Sequence, residues 1–278
     1  MKVLITCLFL IAAAQATEWS NIRPVIKTSP AIRHIIPGKI IGGGIATLGQ
    51  LPYQAGVIID SVGFCGGSLI SETVVLTAAS CIRGFSSWEV VLGAQNITDS
   101  SEPTRQTFTT SDAVTHELYL PQIIKNDIGI INLGGTAGGP GISPVRLPAR
   151  SQETEQFIGA KARVSGWGIT SDTEQFGSPD LRFVEVAVIS SDDCFGYYGN
   201  IISEFTLCTD TSVGTMGFCD GDTGGPLVTT ESDGVDTLIG IVSFRSPVGC
   251  EVNAPHGFTR VTGYFKWIED HTTIIIRP

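Results

Sequence analysis

The sequence predicts an all-β protein of two successive β-barrels followed by a short helix. Between Gln54 and Leu147, short apolar runs alternate with turns rich in Gly, Ser, Asp and Pro, which is strand spacing typical of a barrel. The same pattern returns between Ala160 and Val261, and a Gly- and Pro-rich segment from Gly134 to Ser151 is the expected connection. A chain of 278 residues, 42% of them hydrophobic, is long enough for one large or two small cores.

Each predicted strand is a short, mostly apolar run bounded by turn-forming residues. The predicted strands are Ala55–Ile59, Gly67–Ile70, Val74–Thr77, Glu89–Leu92 and Ile128–Leu133 in the first barrel, and Ala162–Gly168, Phe183–Ile189, Pro226–Thr229, Leu238–Phe244 and Gly257–Val261 in the second. Residues 262–273 follow with helical periodicity, which predicts a helix with its apolar side turned inward. The residues expected on that side are Tyr264, Phe265, Trp267 and Ile268.

The N-terminal residues 1–16 have the layout of a secretory signal peptide. A lysine precedes an apolar run from Val3 to Ala14, and Ala14-Gln15-Ala16 provides the small residues of a cleavage site. The alternative, a membrane anchor, is disfavoured because the run is too short to span a bilayer comfortably. We therefore expect a secreted, extracellular protein without a membrane anchor.

Residues 17–39 contain three prolines and lack a periodic apolar pattern, which predicts an exposed propeptide. The formal net charge is −10, and removing residues 1–39, which hold five basic residues and one acidic residue, leaves −14. An acidic surface disfavours nucleic acid and anionic lipid as partners. It favours basic or neutral partners, although solubility alone also explains it.

Six cysteines remain once Cys7 leaves with the signal peptide. An even number in a secreted chain predicts three disulfides, although the spacing alone leaves their pairing open. Zinc is the alternative, but the chain has no Cys-x-x-Cys pair. We expect no metal and no cofactor.

The most informative stretch runs from Gly217 to Pro226 and reads GFCDGDTGGP. Glycines around a single hydroxyl residue describe a tight turn in which backbone N–H groups converge on an anion. The N–H groups of Gly221 and Thr223 would form an oxyanion hole beside the Thr223 hydroxyl.

This stretch closely resembles the Gly-Asp-Ser-Gly-Gly-Pro signature of the trypsin/chymotrypsin family, with Thr223 in place of the nucleophilic serine. A second family signature, Thr-Ala-Ala-His-Cys, is similar to Thr77–Cys81, with Ser80 in place of the histidine base. A third, Asp-Ile-Ala-Leu, is similar to the segment that begins at Asp127, which keeps the carboxylate.

The resemblance covers residues 40–278. Three further segments resemble the arthropod chymotrypsin- and collagenase-like branch of the family: Phe64–Ser71, Val91–Ile97 and Gly166–Gly168. It implies one domain of two six-stranded antiparallel barrels, at about 40–145 and about 150–261. It also implies the disulfides Cys65–Cys81, Cys194–Cys208 and Cys219–Cys250.

The segment Pro37–Gly43, PGKIIGG, resembles the activation site of the family. The resemblance implies that a trypsin-like protease cuts after Lys39 and that the freed amine of Ile40 pairs with the aspartate before the nucleophile, here Asp222. A buried ion pair is favourable only when both members are present, so the Ile40 amine would order the oxyanion turn. An accidental lysine in a loop is the alternative, and it is disfavoured because the resemblance continues through Gly49–Tyr53.

The resemblance also places the substrate pocket. Gly217 stands at its floor, where a carboxylate would favour Lys or Arg, so that preference is not expected. Ser243 precedes Arg245 in a segment that lies alongside the substrate backbone, and this puts a long cationic side chain at the mouth of the cleft. A solvated loop arginine is the alternative for Arg245. His256 falls on the pocket wall.

Two further positions concern modification and metal binding. Asn96-Ile97-Thr98 is the single Asn-x-Ser/Thr acceptor of the chain and predicts an N-linked glycan. The calcium loop of trypsin-like relatives opens with a glutamate where this chain has Ala94, so calcium is not expected.

These departures bear on catalysis. A hydroxyl nucleophile needs an adjacent base, and the alcohol of Ser80 binds no proton near neutral pH. The resemblance places no histidine between Asp127 and Thr223. The four histidines are His34, His116, His256 and His271.

The sequence alone therefore favours an inactive protease homologue, not an enzyme, that binds extracellular proteases, inhibitors or protein substrates as a regulator, cofactor or decoy. The alternative is a weak serine-type endopeptidase of chymotrypsin- or collagenase-like preference. A third hypothesis is a packaged secretory component whose shape alone matters.

Overall fold

A computed structural model of the chain describes residues 23–24, 43–211 and 216–278, and of residues 23–24 it describes the backbone. The signal peptide, the rest of the propeptide, Lys39 and Ile40 lie outside the described residues, so the predictions on them remain predictions. The described strands form two mainly antiparallel sheets, and the predicted all-β class is confirmed.

The first sheet contains eight strands, most of them short. They are β1 Arg23–Pro24, β3 Gln54–Ile59, β4 Gly63–Ser71, β5 Val74–Thr77, β6 Trp88–Leu92, β7 Gln106–Thr110, β8 Ala113–Thr115 and β9 Gly129–Asn132. The strands β3 and β5, which contain Val or Ile, are buried along their whole length. The second sheet contains seven strands. They are β2 Gly44–Ile45, β10 Lys161–Gly166, β11 Arg182–Ile189, β12 Thr206–Thr209, β13 Pro226–Thr230, β14 Asp236–Phe244 and β15 His256–Arg260.

The two sheets differ in closure. In the second sheet the order β10-β13-β14-β15-β12-β11 is closed by pairing of β10 with β11, which makes a six-stranded barrel, and β2 adds to β11. The first sheet runs β7-β6-β3-β4-β5-β9-β8, with β1 parallel to β4, and curls into a half-barrel without a closing pair among the described strands.

The helices are short. The helix α1, Ser191–Tyr198, begins at an N-cap serine, Ser190, whose hydroxyl oxygen accepts a hydrogen bond from the Asp193 N–H at 3.1 Å. The helix α2 spans Phe265–His271 after a 3₁₀ turn at Val261–Tyr264 and is therefore shorter than the predicted helix. Three residues of the predicted apolar side, Phe265, Trp267 and Ile268, are buried in α2, and the fourth, Tyr264, is buried in the turn before it. Among the residues that the structure describes, no helix is long and apolar enough to cross a membrane.

The core holds the two sheets against each other. One hydrophobic cluster contains residues from both sheets, with Trp167 packed edge-on against Phe64 at 6.4 Å between ring centroids, while a second cluster fills the closed barrel. The structure contains the three disulfides that the family resemblance implies, Cys65–Cys81, Cys194–Cys208 and Cys219–Cys250. The functional site lies where loops of both sheets meet.

Candidate active site

Asp127 is the centre of the candidate active site. It lies two residues before the start of β9, it is 1% exposed, and it receives hydrogen bonds from the turn after β5 and from β14. The Ser80 N–H donates to Oδ1 at 2.8 Å, and the Ser80 hydroxyl donates to Oδ2 at 3.3 Å. From β14, the Ser243 hydroxyl donates to Oδ2 at 2.7 Å. The carboxylate is therefore fixed by three donors, which stabilise its charged form.

The backbone on either side of Asp127 is also held. Asn126 has a φ of +57°, a conformation that asparagine tolerates better than most residues, and its side-chain amide donates to the Leu118 carbonyl at 2.7 Å. The Thr259 hydroxyl donates to the Asp127 carbonyl at 2.8 Å, and the Tyr264 hydroxyl donates to Asn126 at 3.0 Å. The local sequence thus fixes the direction of the Asp127 side chain.

Tyr119 is a residue of this cluster that sequence reasoning missed. Its buried side chain has a hydrogen bond with Ser80. Burial, followed by the negative charge of Asp127, raises the pKa of the Tyr119 hydroxyl, so the phenol keeps its proton at neutral pH and cannot act as a base. No motif points to Tyr119, because it precedes the signature of Asp127 in an irregular loop.

The segment predicted to form the oxyanion hole adopts a tight turn. Gly221 and Gly224 have φ values of +98° and +85°, which glycine adopts without strain. A Cβ at Gly224 would lie 2.2 Å from the Thr77 hydroxyl, so this turn requires glycine for close approach as well. The Thr223 carbonyl accepts a hydrogen bond from the Gly66 N–H at 2.7 Å, which ties the turn to β4.

Asp222 anchors the turn from below. Its carboxylate is buried and accepts hydrogen bonds from the N–H groups of Gly168 at 2.7 Å and Cys219 at 3.0 Å. Burial raises the pKa of Asp222 to about 7, although these two backbone N–H groups lower it and the nearby Asp220 raises it further. A narrow pocket opens beside Asp222, with Arg182 in its lining. The predicted partner, the Ile40 amine, lies outside the described residues.

The floor of the predicted pocket is filled by an imidazole. A Cβ at Gly217 would lie 2.2 Å from Nδ1 of His256, and this nitrogen accepts a hydrogen bond from the Phe218 N–H at 3.2 Å. Burial lowers the pKa of His256 to about 3, the charge of Arg245 lowers it further, and a backbone interaction with Cys250 partly opposes both. The imidazole is neutral, and its Nε2 makes no hydrogen bond of good geometry with the residues that the structure describes.

Arg245 does not extend into solvent at the mouth of the cleft. Its Nε and Nη2 donate to the two carboxylate oxygens of Asp220 at 3.0 and 2.7 Å, and its Nη1 donates to the Ser246 carbonyl at 2.7 Å. The side chains of Arg245 and Asp220 are only 8% and 12% exposed. The alternative of a solvated loop arginine is therefore wrong, and Asp220 joins the site as a residue that the sequence did not reveal.

The remaining predicted positions lie outside this cleft. The Asn96 side chain donates to Asp180 at 3.2 Å and accepts from the Thr98 hydroxyl at 2.6 Å, so a glycan would extend from a half-buried turn. Next to Ala94, the Glu102 carboxylate accepts the N–H groups of Gln95 and Asn96. Of the described residues, one group has metal-ligand spacing, but two of its members are cysteines joined in a disulfide. Their sulfurs are not thiolates, so the group lacks the ligands for a metal. It consists of Asp172, Cys219 and Cys250.

The fold and the site define the class of this protein. The family model described as Trypsin matches residues 40–268, and the chain belongs to this family.

Individual relatives of the chain support this family assignment. The chain is 40% identical over 236 residues to Brachyurin of Leptuca pugilator, which covers 84% of this chain and 99% of the relative. It is 37% identical over 243 residues to Collagenase of Hypoderma lineatum, which covers 86% of this chain and 89% of the relative. A solved structure titled HL collagenase superposes with a TM-score of 0.76 at 37% identity, over 85% of this chain and 100% of that one.

These comparisons contradict one expectation from the sequence. We expected the chain not to be an enzyme, because Ser80 and Thr223 are not the residues of the family signatures. The relatives that it matches over most of its length are named as a collagenase and, at 35% identity, as Serine protease 1 of Drosophila melanogaster. That expectation relied on two substituted positions, whereas the similarity to these relatives extends over the whole domain. We therefore withdraw the expectation that the chain is not an enzyme.

Proposed function

We propose that this protein is a secreted, weak serine-type endopeptidase of the chymotrypsin- and collagenase-like kind, with Thr223 as its nucleophile. The proposal is supported by two hydrogen bonds with neighbouring residues of β14: the N–H of Gly224, next to Thr223, donates to the Val242 carbonyl, and the Ser243 hydroxyl donates to Asp127. Ser80 and Thr223 stand at the positions of the histidine and serine in the family signatures, and this difference makes the enzyme slow.

The first step is attack by the Thr223 hydroxyl on the carbonyl carbon of the scissile bond. A C–O bond forms as the carbonyl π electrons move to oxygen, and the N–H groups of Gly221 and Thr223 stabilise that oxyanion. The hydroxyl proton passes to the Ser80 oxygen while Ser80 passes its own proton to Asp127. The proton returns to the leaving amine when the C–N bond breaks, and water then hydrolyses the acyl-enzyme by the same route.

The rate of the proposed hydrolysis depends on the group that finally accepts the proton, which is the carboxylate of Asp127. A carboxylate has an ordinary pKa of about 3.9, far below that of an attacking alcohol, so proton removal is less favourable than with imidazole. General bases of well-matched pKa contribute roughly 10²–10⁴-fold to such reactions. The arrangement of Ser80 and Asp127 therefore supports slow turnover.

The pocket supports a preference other than Lys or Arg. Its floor is Gly217 backed by the neutral imidazole of His256, and neither residue supplies a carboxylate that would bind a cation. Arg245 adds a positive charge near His256. The cleft therefore suits a chymotrypsin- or collagenase-like range of substrates more than a trypsin-like one.

Secretion and activation are part of the proposal. Three disulfides suit an oxidising compartment, which supports export guided by residues 1–16. Activation by a trypsin-like protease would occur after Lys39. Extracellular proteins are the proposed partners, and the exposed apolar side chains of Leu118, Leu120 and Ile123 on the loop before Asp127 support contacts with protein surfaces.

A fluorophosphonate probe tests the proposal, because it labels only an activated hydroxyl. The protein cleaved after Lys39 is expected to form a covalent adduct that mass spectrometry places on Thr223, while the Thr223→Ala protein stays unlabelled. Labelling that is absent from both proteins, or equal in both, would contradict the role of Thr223.

A further inference from the structure

The ion pair between Arg245 and Asp220 bridges two walls of the cleft. Arg245 directly follows β14, whose Ser243 binds Asp127, and Asp220 directly precedes Gly221 of the oxyanion turn. The guanidinium engages both carboxylate oxygens through Nε and Nη2. The pair therefore lies between the substrate-binding strand and the loop that carries Thr223.

The burial of this pair restricts what can take the place of Asp220. Both side chains are largely withdrawn from water, and an arginine left unpaired there would lose its solvation without compensation. A neutral or cationic ligand that displaced Asp220 would leave such a charge. A carboxylate ligand instead reproduces the two parallel N–H···O bonds, because carboxylates match the guanidinium fork.

The surroundings favour the same ligand. Among the described residues, the charged and titratable groups near the guanidinium include Asp220, which binds it, and His256 and Tyr198, on which its positive charge acts. His256 is neutral and holds an Nε2 that lacks a hydrogen bond of good geometry among the described residues. With Nδ1 accepting from Phe218, that Nε2 carries the proton and is a buried donor whose interaction with the Cys250 backbone lacks good hydrogen-bond geometry.

We propose that Arg245 determines the specificity of the cleft by binding the side-chain carboxylate of an Asp or Glu immediately before the scissile bond, with Asp220 as the internal group that it displaces. The inference rests on the proposed function in one respect, that a peptide occupies this cleft. It narrows the substrate class from non-basic to acidic.

Direct binding tests this without turnover. Four fluorescein-labelled peptides, blocked at both ends and identical except for Glu, Gln, Lys or Leu at one position, are titrated by anisotropy against the Thr223→Ala protein cleaved after Lys39. The Glu peptide is expected to bind about tenfold more tightly than the Gln peptide, which matches the loss of a charge-assisted hydrogen bond. Adding Asp220→Asn removes the internal competitor and should tighten binding of the Glu peptide alone.

Adding Arg245→Gln should bring the dissociation constants of the Glu and Gln peptides together. Arg163→Gln is the matched control, since Arg163 pairs with Glu185 and Asp236 on the closed barrel and should leave the preference intact. The inference would be overturned if the Thr223→Ala protein, with and without Asp220→Asn, bound the Glu and Gln peptides equally or bound neither. Preferential binding of the Glu peptide without hydrolysis by the protein that retains Thr223 would instead overturn the proposed function and leave this inference standing.

Discussion

The Ser80 backbone N–H lies 2.8 Å from one carboxylate oxygen of Asp127, whereas its hydroxyl lies 3.3 Å from the other. The backbone bond is the shorter of the two, so Asp127 is held by the main chain whichever side chain stands at position 80. The hydroxyl, which also has a hydrogen bond with Tyr119, makes only the longer contact with Asp127. This difference between the two bonds leads to the first prediction.

Replacing Ser80 with His and Thr223 with Ser should raise kcat/KM on small ester substrates. The backbone bond to Asp127 remains, and an imidazole provides a base of matched pKa, so the expected gain is roughly 10²–10⁴-fold. Each single change should give much less, because the two residues act as one unit. Steady-state ester hydrolysis measures all three proteins, with thermal unfolding to verify their fold. A folded double variant without any gain would show that Thr223 and Asp127 are not aligned for catalysis.

The stability of the protein should depend on pH through Asp222. Its pKa in the folded chain is about 7, against an ordinary 3.8, so the folded state holds the proton more tightly than the unfolded state. This contribution to stability is fully present below the unfolded pKa and is lost as the pH rises through the folded pKa. Between those values the free energy of unfolding should fall by about 1.4 kcal/mol per pH unit relative to the Asp222→Asn protein. Urea denaturation gives the free energy of unfolding of both proteins at each pH. A difference between the two that stays constant with pH would rule out the raised pKa.

Cleavage after Lys39 should remove this dependence and tighten the oxyanion turn. An ammonium at Ile40 that pairs with Asp222 stabilises the charged carboxylate, which lowers its pKa. Hydrogen exchange in residues 216–224 should slow after cleavage, and a Lys39→Gln protein, which resists the activating protease, is the control. Exchange that stays the same after verified cleavage would mean that the Ile40 amine does not reach Asp222.

Gly217 should not tolerate a side chain. A Cβ there would lie 2.2 Å from His256, so Gly217→Ala should destabilise the protein by roughly 1–3 kcal/mol through overpacking. Shortening the neighbour in a Gly217→Ala, His256→Ala double variant should recover part of that loss relative to His256→Ala alone. Gly138→Ala is the control, because nothing lies within 4 Å of its added Cβ. Denaturant unfolding that gives the same loss for both glycines would contradict the close contact.

Much of the fold could be predicted because its strands carry their signal locally. The run from Val74 to Thr77 is buried along its whole length and matches β5 to the residue. The strands β7 and β12 were missed because they lack an apolar run, and β7 has half-exposed and exposed residues in alternation along a Thr-rich edge. The helix α1 was missed as well, although Ser190 followed three residues later by Asp193 is an N-cap signal that could have revealed it.

The site divides in the same way. The resemblance to the family signatures led to Asp127, Thr223 and Asp222, and the glycines around Thr223 also mark the turn locally. Tyr119 and Asp220 left no such pattern, since each joins the site through a contact with a residue distant in the sequence. The direction of Arg245 was likewise invisible, because only the folded chain brings Asp220 within reach of its guanidinium.

Hydrolysis of peptide bonds by Thr223 is tested most directly by comparing turnover with and without its hydroxyl. The protein cleaved after Lys39, freed of the activating protease, is incubated with a fluorogenic peptide mixture beside matched Thr223→Ala and Thr223→Ser proteins. We expect slow hydrolysis that is abolished in Thr223→Ala and retained in Thr223→Ser. Cleavage that does not exceed that of the Thr223→Ala protein would contradict it.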